Sequence, residues 1–142
     1  MLRQLLRVFA IVVAGVVVTS CGSRGVATPS PTLFDSTWRL VLIEGDKPLE
    51  DVRVTVTFSR ERVSGSSGCN SYSGSVTIRG DRVDFGLLAS TQMYCTSDGV
   101  MSQEERFFAA LGKTRGFLVT GNELRLFAAD GSVLLVFRIE ER

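Results

Sequence analysis

Three turn dipeptides, Gly80-Asp81, Gly121-Asn122 and Asp130-Gly131, each separate two stretches of strand-like character. Strict alternation of apolar and polar residues puts every second side chain on one face of an extended chain, which buries that face and wets the other. Two such stretches joined by two residues fold back as an antiparallel hairpin. Val76 and Ile78 alternate with Thr77 and Arg79 before the first turn, and Val83 and Phe85 follow it. Phe117–Thr120 and Leu124–Phe127 flank the second in the same way. Asp130-Gly131 is the strongest hairpin signal, because both central residues of a type I′ turn need positive φ. It leads into Val133–Ile139, apolar nearly throughout, which predicts a central or doubly covered strand.

Upstream, Thr37 to Glu44 places Trp38, Leu40 and Leu42 on one face of a strand. Val54, Val56 and Phe58 alternate with Arg53, Thr55 and Thr57, and a turn at Ser59 to Glu61 leads back through Arg62 to Ser64. One segment changes period. Ser102-Gln103-Glu104-Glu105 reads as a capping box, Phe107, Phe108 and Leu111 fall on one stripe, and Gly112 supplies a stop. A helix this short gains its stability from docking, so it should plug one end or side of the sheet. The fold class predicted is mainly β (α+β): a small antiparallel, barrel-like sheet of about eight short strands with one docked helix near 102–112.

Composition narrows the chemistry. The chain of 142 residues contains no His and carries 16 basic against 15 acidic residues. Without imidazole there is no Ser-His-Asp or Cys-His catalysis and no His-ligated zinc, and the near-neutral balance gives no support for nucleic-acid binding. Neither a metal site nor a cofactor is expected.

Residues 1–20 hold Arg3 and Arg7, no acid, and an apolar run from Val8 to Val18 broken only by Gly15. The run falls short of the roughly 20 residues needed to span a bilayer, and the pattern is that of a secretory signal. Val18-Thr19-Ser20-Cys21-Gly22 resembles the bacterial lipoprotein signal, in which an aliphatic residue and two small ones precede a cysteine. That resemblance implies cleavage before Cys21 and acylation of its sulfur, with a further acyl chain on the new amine in many bacteria. Two or three chains anchor durably where one is marginal. The mature chain would carry 14 basic and 15 acidic residues. Residues 21–32, with two prolines among small residues, read as a flexible tether, and 33–142 as one domain. The protein is thus expected to be exported and lipid-anchored to the cell envelope. With two membranes in the host, Gly22 favours the outer membrane facing the periplasm; with one, the site is the outer face of the plasma membrane.

With Cys21 lipidated, Cys69 and Cys95 remain as an even pair in an oxidising compartment, which predicts a disulfide. A redox or metal pair is the alternative, and no second C-x-x-C, His or adjacent Lys accompanies them. Their surroundings are specific. Gly68-Cys69-Asn70-Ser71-Tyr72-Ser73-Gly74 is followed by Thr91-Gln92-Met93-Tyr94-Cys95, then Glu104, Phe107 and Leu111, then Leu124 and Leu126. Together with Trp38 in the opening strand, these resemble the META-domain family, typified by HslJ-like bacterial lipoproteins. The resemblance covers roughly 33–142 and implies a small barrel-like α+β domain, often secreted or lipid-anchored, linked to heat shock, antibiotic tolerance or virulence. It implies no established reaction or ligand.

Within the motifs, Trp38, Tyr72, Thr91 and Met93 read as packing residues, with Thr91 and Met93 alternating on a strand. Asn70 suits a left-handed turn position and could satisfy buried backbone with its amide. The sharper alternative has Asn70, Tyr72 and Thr91 lining a barrel mouth as polar contacts for a small ligand. Three functions follow. The leading one is a lipid-tethered, non-catalytic module that binds a small apolar molecule or an envelope protein, or supports envelope integrity under stress. The second is an inhibitor or chaperone-like lipoprotein acting on another envelope protein. The third, a hydrolase built on Ser66/Ser67 or on Asp81 and Asp84, lacks both a G-x-S-x-G elbow and a base.

Overall fold

The computed structural model describes residues 32–34 and 36–140. Cys21, the signal segment and most of the tether lie outside the described residues. Eight strands and one helix follow in the order β1 (Thr37–Ile43), β2 (Thr55–Phe58), β3 (Arg62–Ser66), β4 (Ser71–Arg79), β5 (Arg82–Ser90), α1 (Val100–Lys113), β6 (Thr114–Thr120), β7 (Glu123–Ala128) and β8 (Val133–Ile139). Each strand pairs antiparallel with the next, and β8 returns to β1, which closes a barrel-like ring. The predicted fold class, including its single helix, is the one observed.

The ring is uneven. Strands β4 and β5 pair along nearly their whole length, from Arg79↔Arg82 to Tyr72↔Ser90. Strands β5 and β6 share one pair, Arg82↔Gly116. Above that seam the chain runs into α1 instead, so the helix covers the end of the ring where β5 has lost its neighbour.

Period-two alternation fills the interior with Trp38, Leu40, Val56, Phe58, Val63, Tyr72, Val76, Val83, Leu124, Leu126, Leu135 and Phe137. Phe107, Ala110 and Leu111 of α1 close the same cluster from one end. Trp38, Val56, Val63, Val83, Phe107, Leu111, Leu124, Leu126, Leu135 and Phe137 are each 0% exposed. No space as large as a water molecule therefore touches them, from outside or within. The interior is packed, as expected of a small eight-stranded ring. It leaves no room there for an apolar ligand.

Bulges reassign a few side chains. The β1–β8 register shifts between Leu40 and Leu42, so the interior position passes to Ile43 and Leu42 becomes half-buried instead of following Leu40 inward. Strand β8 is buried from Leu134 to Phe137 and paired on both sides, as its apolar run predicts.

The turns differ in type from the expectation. Gly131 alone takes positive φ in the last hairpin, with Gly131 N–H donating to Ala128 O and Ala128 N–H to Ser132 O. This is a three-residue loop ending in a left-handed glycine rather than a two-residue type I′ turn. Positive φ at two successive residues occurs at Glu44 and Gly45, where Ile43 and Asp46 exchange both backbone hydrogen bonds. A glutamate gives no signal for that geometry. Arg106 and Lys113 of α1 reach Glu44 at 3.8 and 3.7 Å, and Arg106 also bonds Asp46 at 2.9 Å.

Three further expectations are corrected, two of them in the helix. Helix α1 begins at Val100 behind Gly99, with no side-chain cap, so Ser102 and Glu105 form no capping box. Gly112 lies inside the helix; the end comes at Thr114, whose hydroxyl donates to Ala110 O at 2.9 Å. Thr91 to Cys95 is irregular backbone after β5, not strand, and Thr91 and Met93 are exposed rather than packed.

Candidate functional site

The two cysteine motifs meet at the helix-covered end of the ring. A disulfide joins Cys69 to Cys95, with Cα atoms 5.9 Å apart. Beside it, Ser67 N–H donates to Asn70 O at 2.8 Å and closes a tight turn. The left-handed position in that turn falls to Gly68 (φ 111°) and not to Asn70. A Cβ at Gly68 would also sit 2.5 Å from the Val52 side chain.

Asn70 is buried, and its amide ties two segments together. Its Oδ1 accepts from Thr91 Oγ1 at 2.7 Å and Met93 N–H at 2.8 Å, and its Nδ2 donates to Met93 O at 3.2 Å. The motif containing Cys95 is thereby fixed against the motif containing Cys69. The same Nδ2 donates to Glu104 Oε1 at 2.8 Å, and Asn70 N–H donates to Glu104 Oε2 at 3.1 Å. Ser67 Oγ bonds the same carboxylate oxygen. Glu104 is 7% exposed, so α1 inserts a carboxylate into a cradle of three donors from the Cys69 turn. Charge-assisted bonds of this kind are stronger than neutral ones, and they offset the cost of burying the group. The neighbouring Gln103 accepts from Leu49 N–H at 2.7 Å and fastens the β1–β2 loop to the helix.

Glu104 is the residue that sequence reasoning placed only in a cap or in the family's helix motif. A signal for its role was present: an acid on the same helical stripe as Phe107 and Leu111 points at the core. Its partners lie 34 and 37 positions away in the chain, and no local pattern names them.

The structure therefore brings Asn70 and Thr91 together and sets Tyr72 apart. Tyr72 donates to Thr55 O at 2.9 Å inside the ring, with Phe107 and Phe108 against it edge-on. Burial pushes its phenol well above the ordinary tyrosine range, so it serves as a fixed donor. Asn70 and Tyr72 are each 3% exposed, so the polar mouth expected at Asn70, Tyr72 and Thr91 is filled by the helix. Trp38 Nε1 likewise donates inward, to Leu33 O at 3.2 Å. Ser67 is buried in the cradle, and Asp81 and Asp84 are exposed. No group of three or more metal-ligating side chains occurs among the described residues.

What remains open is outside the ring. A groove of about 280 Å³ runs between the upper half of β5 and α1, lined by Phe85, Gly86, Leu87, Leu88, Ser90, Phe108 and Gly112. Leu87 is 95% exposed at its rim.

A closed antiparallel ring with a helix across one end, locked by a disulfide and a buried carboxylate cradle, defines a small β domain whose motif polar groups bond one another. The META domain family matches residues 31–141, and the chain belongs to that family. Among solved structures it is similar to a protein from Burkholderia xenovorans determined by NMR, at 27% identity and TM-score 0.60, over 78% of this chain and 85% of that one. A second NMR structure matches at 21% identity and TM-score 0.58, over 73% and 88%. A DUF4847 family protein from Bacteroides vulgatus shares the fold at 14% identity and TM-score 0.56, over 78% and 96%. No curated protein matches the chain.

Proposed function

We propose that this META-domain protein is a non-catalytic module of the cell envelope, lipid-anchored through Cys21, that works through its outer surface in stress-related binding or envelope integrity. The packed interior is the observation that carries the surface assignment. The side chains that fill the ring are each at most 3% exposed and most are 0%, and the motif polar groups of Asn70, Tyr72 and Glu104 are taken up by internal hydrogen bonds. Anchoring rests on Val18-Thr19-Ser20-Cys21 and on the small, proline-containing stretch that follows.

The test uses the full chain expressed in a bacterium with lipoprotein processing. The wild type should partition into the membrane fraction, and mass spectrometry of its N-terminal peptide should show acylated Cys21. Cys21→Ser should leave the unacylated form. A deletion strain should admit more of a hydrophobic dye across its envelope under heat stress, and the wild-type gene should restore the barrier better than Cys21→Ser. Equal rescue by the two would refute anchoring as part of the function.

The second reading, an inhibitor or chaperone-like lipoprotein acting on another envelope protein, is favoured by one observation: the apolar groove beside β5 with Leu87 exposed at its rim.

A further inference from the structure

Strand β5 is an edge over most of its length. Phe117 N–H donates to Asp81 O at 2.8 Å, so the odd-numbered residues here aim their backbone groups toward β6. That alternation assigns the same direction to Val83 and Phe85. Pairing with β6 stops at Arg82↔Gly116, which leaves Phe85 with no strand on that side. An unpaired edge is a template for an added strand.

The groove borders this edge, with Phe108 and Gly112 of α1 as its far wall. Gly112 is informative because the fold does not demand it. It has no positive φ, and a Cβ there would meet nothing within 4 Å. Glycine inside a helix is unfavourable relative to alanine, so its structural effect is to leave the groove open. One turn before Phe108, on the same helical stripe, stands Glu105. It is exposed and forms none of the ion pairs among the described residues. The side chains lining the groove are apolar apart from Ser90, and the helix carries a negative charge one turn before Phe108.

We propose that the β5 edge and this groove form a docking site for an extended segment of another protein. The segment adds as a strand along β5 from Phe85, sets an apolar side chain against Leu87, Leu88 and Phe108, and places a Lys or Arg against Glu105. Main-chain bonds supply affinity in this mode, and the pocket and the charge supply selectivity. The proposal rests on the surface-acting reading above. It is independent of Cys21, so loss of anchoring and loss of peptide binding are separate results.

The experiment pans phage-displayed random decapeptides against the full chain, immobilised in detergent micelles, with Gly112→Phe as the counter-selection. Enriched peptides should alternate apolar residues and carry one Lys or Arg. Their affinity should fall about tenfold or more on Gly112→Phe and on Leu87→Asp, and Glu105→Lys should shift selection toward acidic peptides. Leu87 is almost fully exposed, so Leu87→Asp decides the matter even where Gly112→Phe fails to fold. Absence of enrichment, or peptides that bind wild type and Leu87→Asp equally, overturns the proposal. So does concentration-dependent pairing of the chain with itself that Leu87→Asp abolishes, because the occupant of the edge is then a second copy.

Discussion

Glu104 holds Asn70 twice, taking its backbone N–H at 3.1 Å and its side-chain amide at 2.8 Å. One carboxylate thus joins the helix to the Cys69 turn. The other end of the Asn70 amide joins that turn to Thr91 and Met93. Helix, turn and post-β5 segment meet at two side chains.

Removing the carboxylate should be costly because its donors stay buried. Glu104→Ala leaves the buried Asn70 N–H without its acceptor and takes one of two acceptors from the Asn70 amide and from the Ser67 hydroxyl. We expect a loss of about 3 kcal/mol in urea unfolding. Glu104→Gln keeps one acceptor and should cost roughly half as much. Equal stability of Glu104→Ala and wild type would remove the cradle from the account of this fold.

The disulfide closes a loop with a sequence separation of 26. Cys69→Ala/Cys95→Ala should lower the unfolding free energy by about 3.5 kcal/mol on the chain-entropy account. Asn70 also bridges the two motifs, so coupling is expected. In a double-mutant cycle, Asn70→Ala should cost more without the disulfide than with it. Strict additivity would show that the two links act separately.

Gly112 offers the opposite sign. Alanine there meets no neighbour and no strained φ, so Gly112→Ala should stabilise the domain by roughly 0.5–1 kcal/mol. Thermal unfolding reads this directly. A drop in midpoint would mean that the glycine serves the fold after all.

Acid should weaken the domain through two carboxylates. The Arg53 hydrogen bond, with the nearby guanidinium charge, holds Glu140 below its ordinary range, and the Ser132 hydroxyl and N–H do the same for Asp130. A carboxylate lowered in the folded state stabilises above its unfolded pKa, and that contribution disappears as pH falls through the folded value. Urea midpoints should therefore be level at neutral pH and decline below about pH 4.5. Glu140→Gln should shallow the decline, and an unchanged acid limb in that variant would exclude the Arg53 pair as a contributor.

Legibility followed distance along the chain. The Gly80-Asp81 and Gly121-Asn122 hairpins are local events, and both stand where period two and turn chemistry place them. The Leu42 assignment failed for a non-local reason, since the bulge against β8 passes the inward position to Ile43. The capping box failed because the helix starts earlier, at Val100 behind Gly99, so Ser102 lies inside it; Glu104 is drawn into the Asn70 cradle and Glu105 stays in solvent. The stripe shared with Phe107 and Leu111 turns Glu104 inward, but nothing within four residues names its partners. The type I′ turn at Glu44-Gly45 was hidden for a related reason, as its first residue pairs with Arg106 and Lys113 of α1, which are distant in the chain.

The sequence by itself determined the number and order of strands, the single helix and the family, because alternation, turn residues and motif spacing are properties of short stretches of chain. The tertiary structure alone decided that the ring is filled, that its mouth is sealed by Glu104 and Phe107, and that β5 keeps an open edge beside α1. Those outcomes depend on which distant side chains share one volume and on where pairing runs out. Packing and register set them, and neither is written in any local pattern.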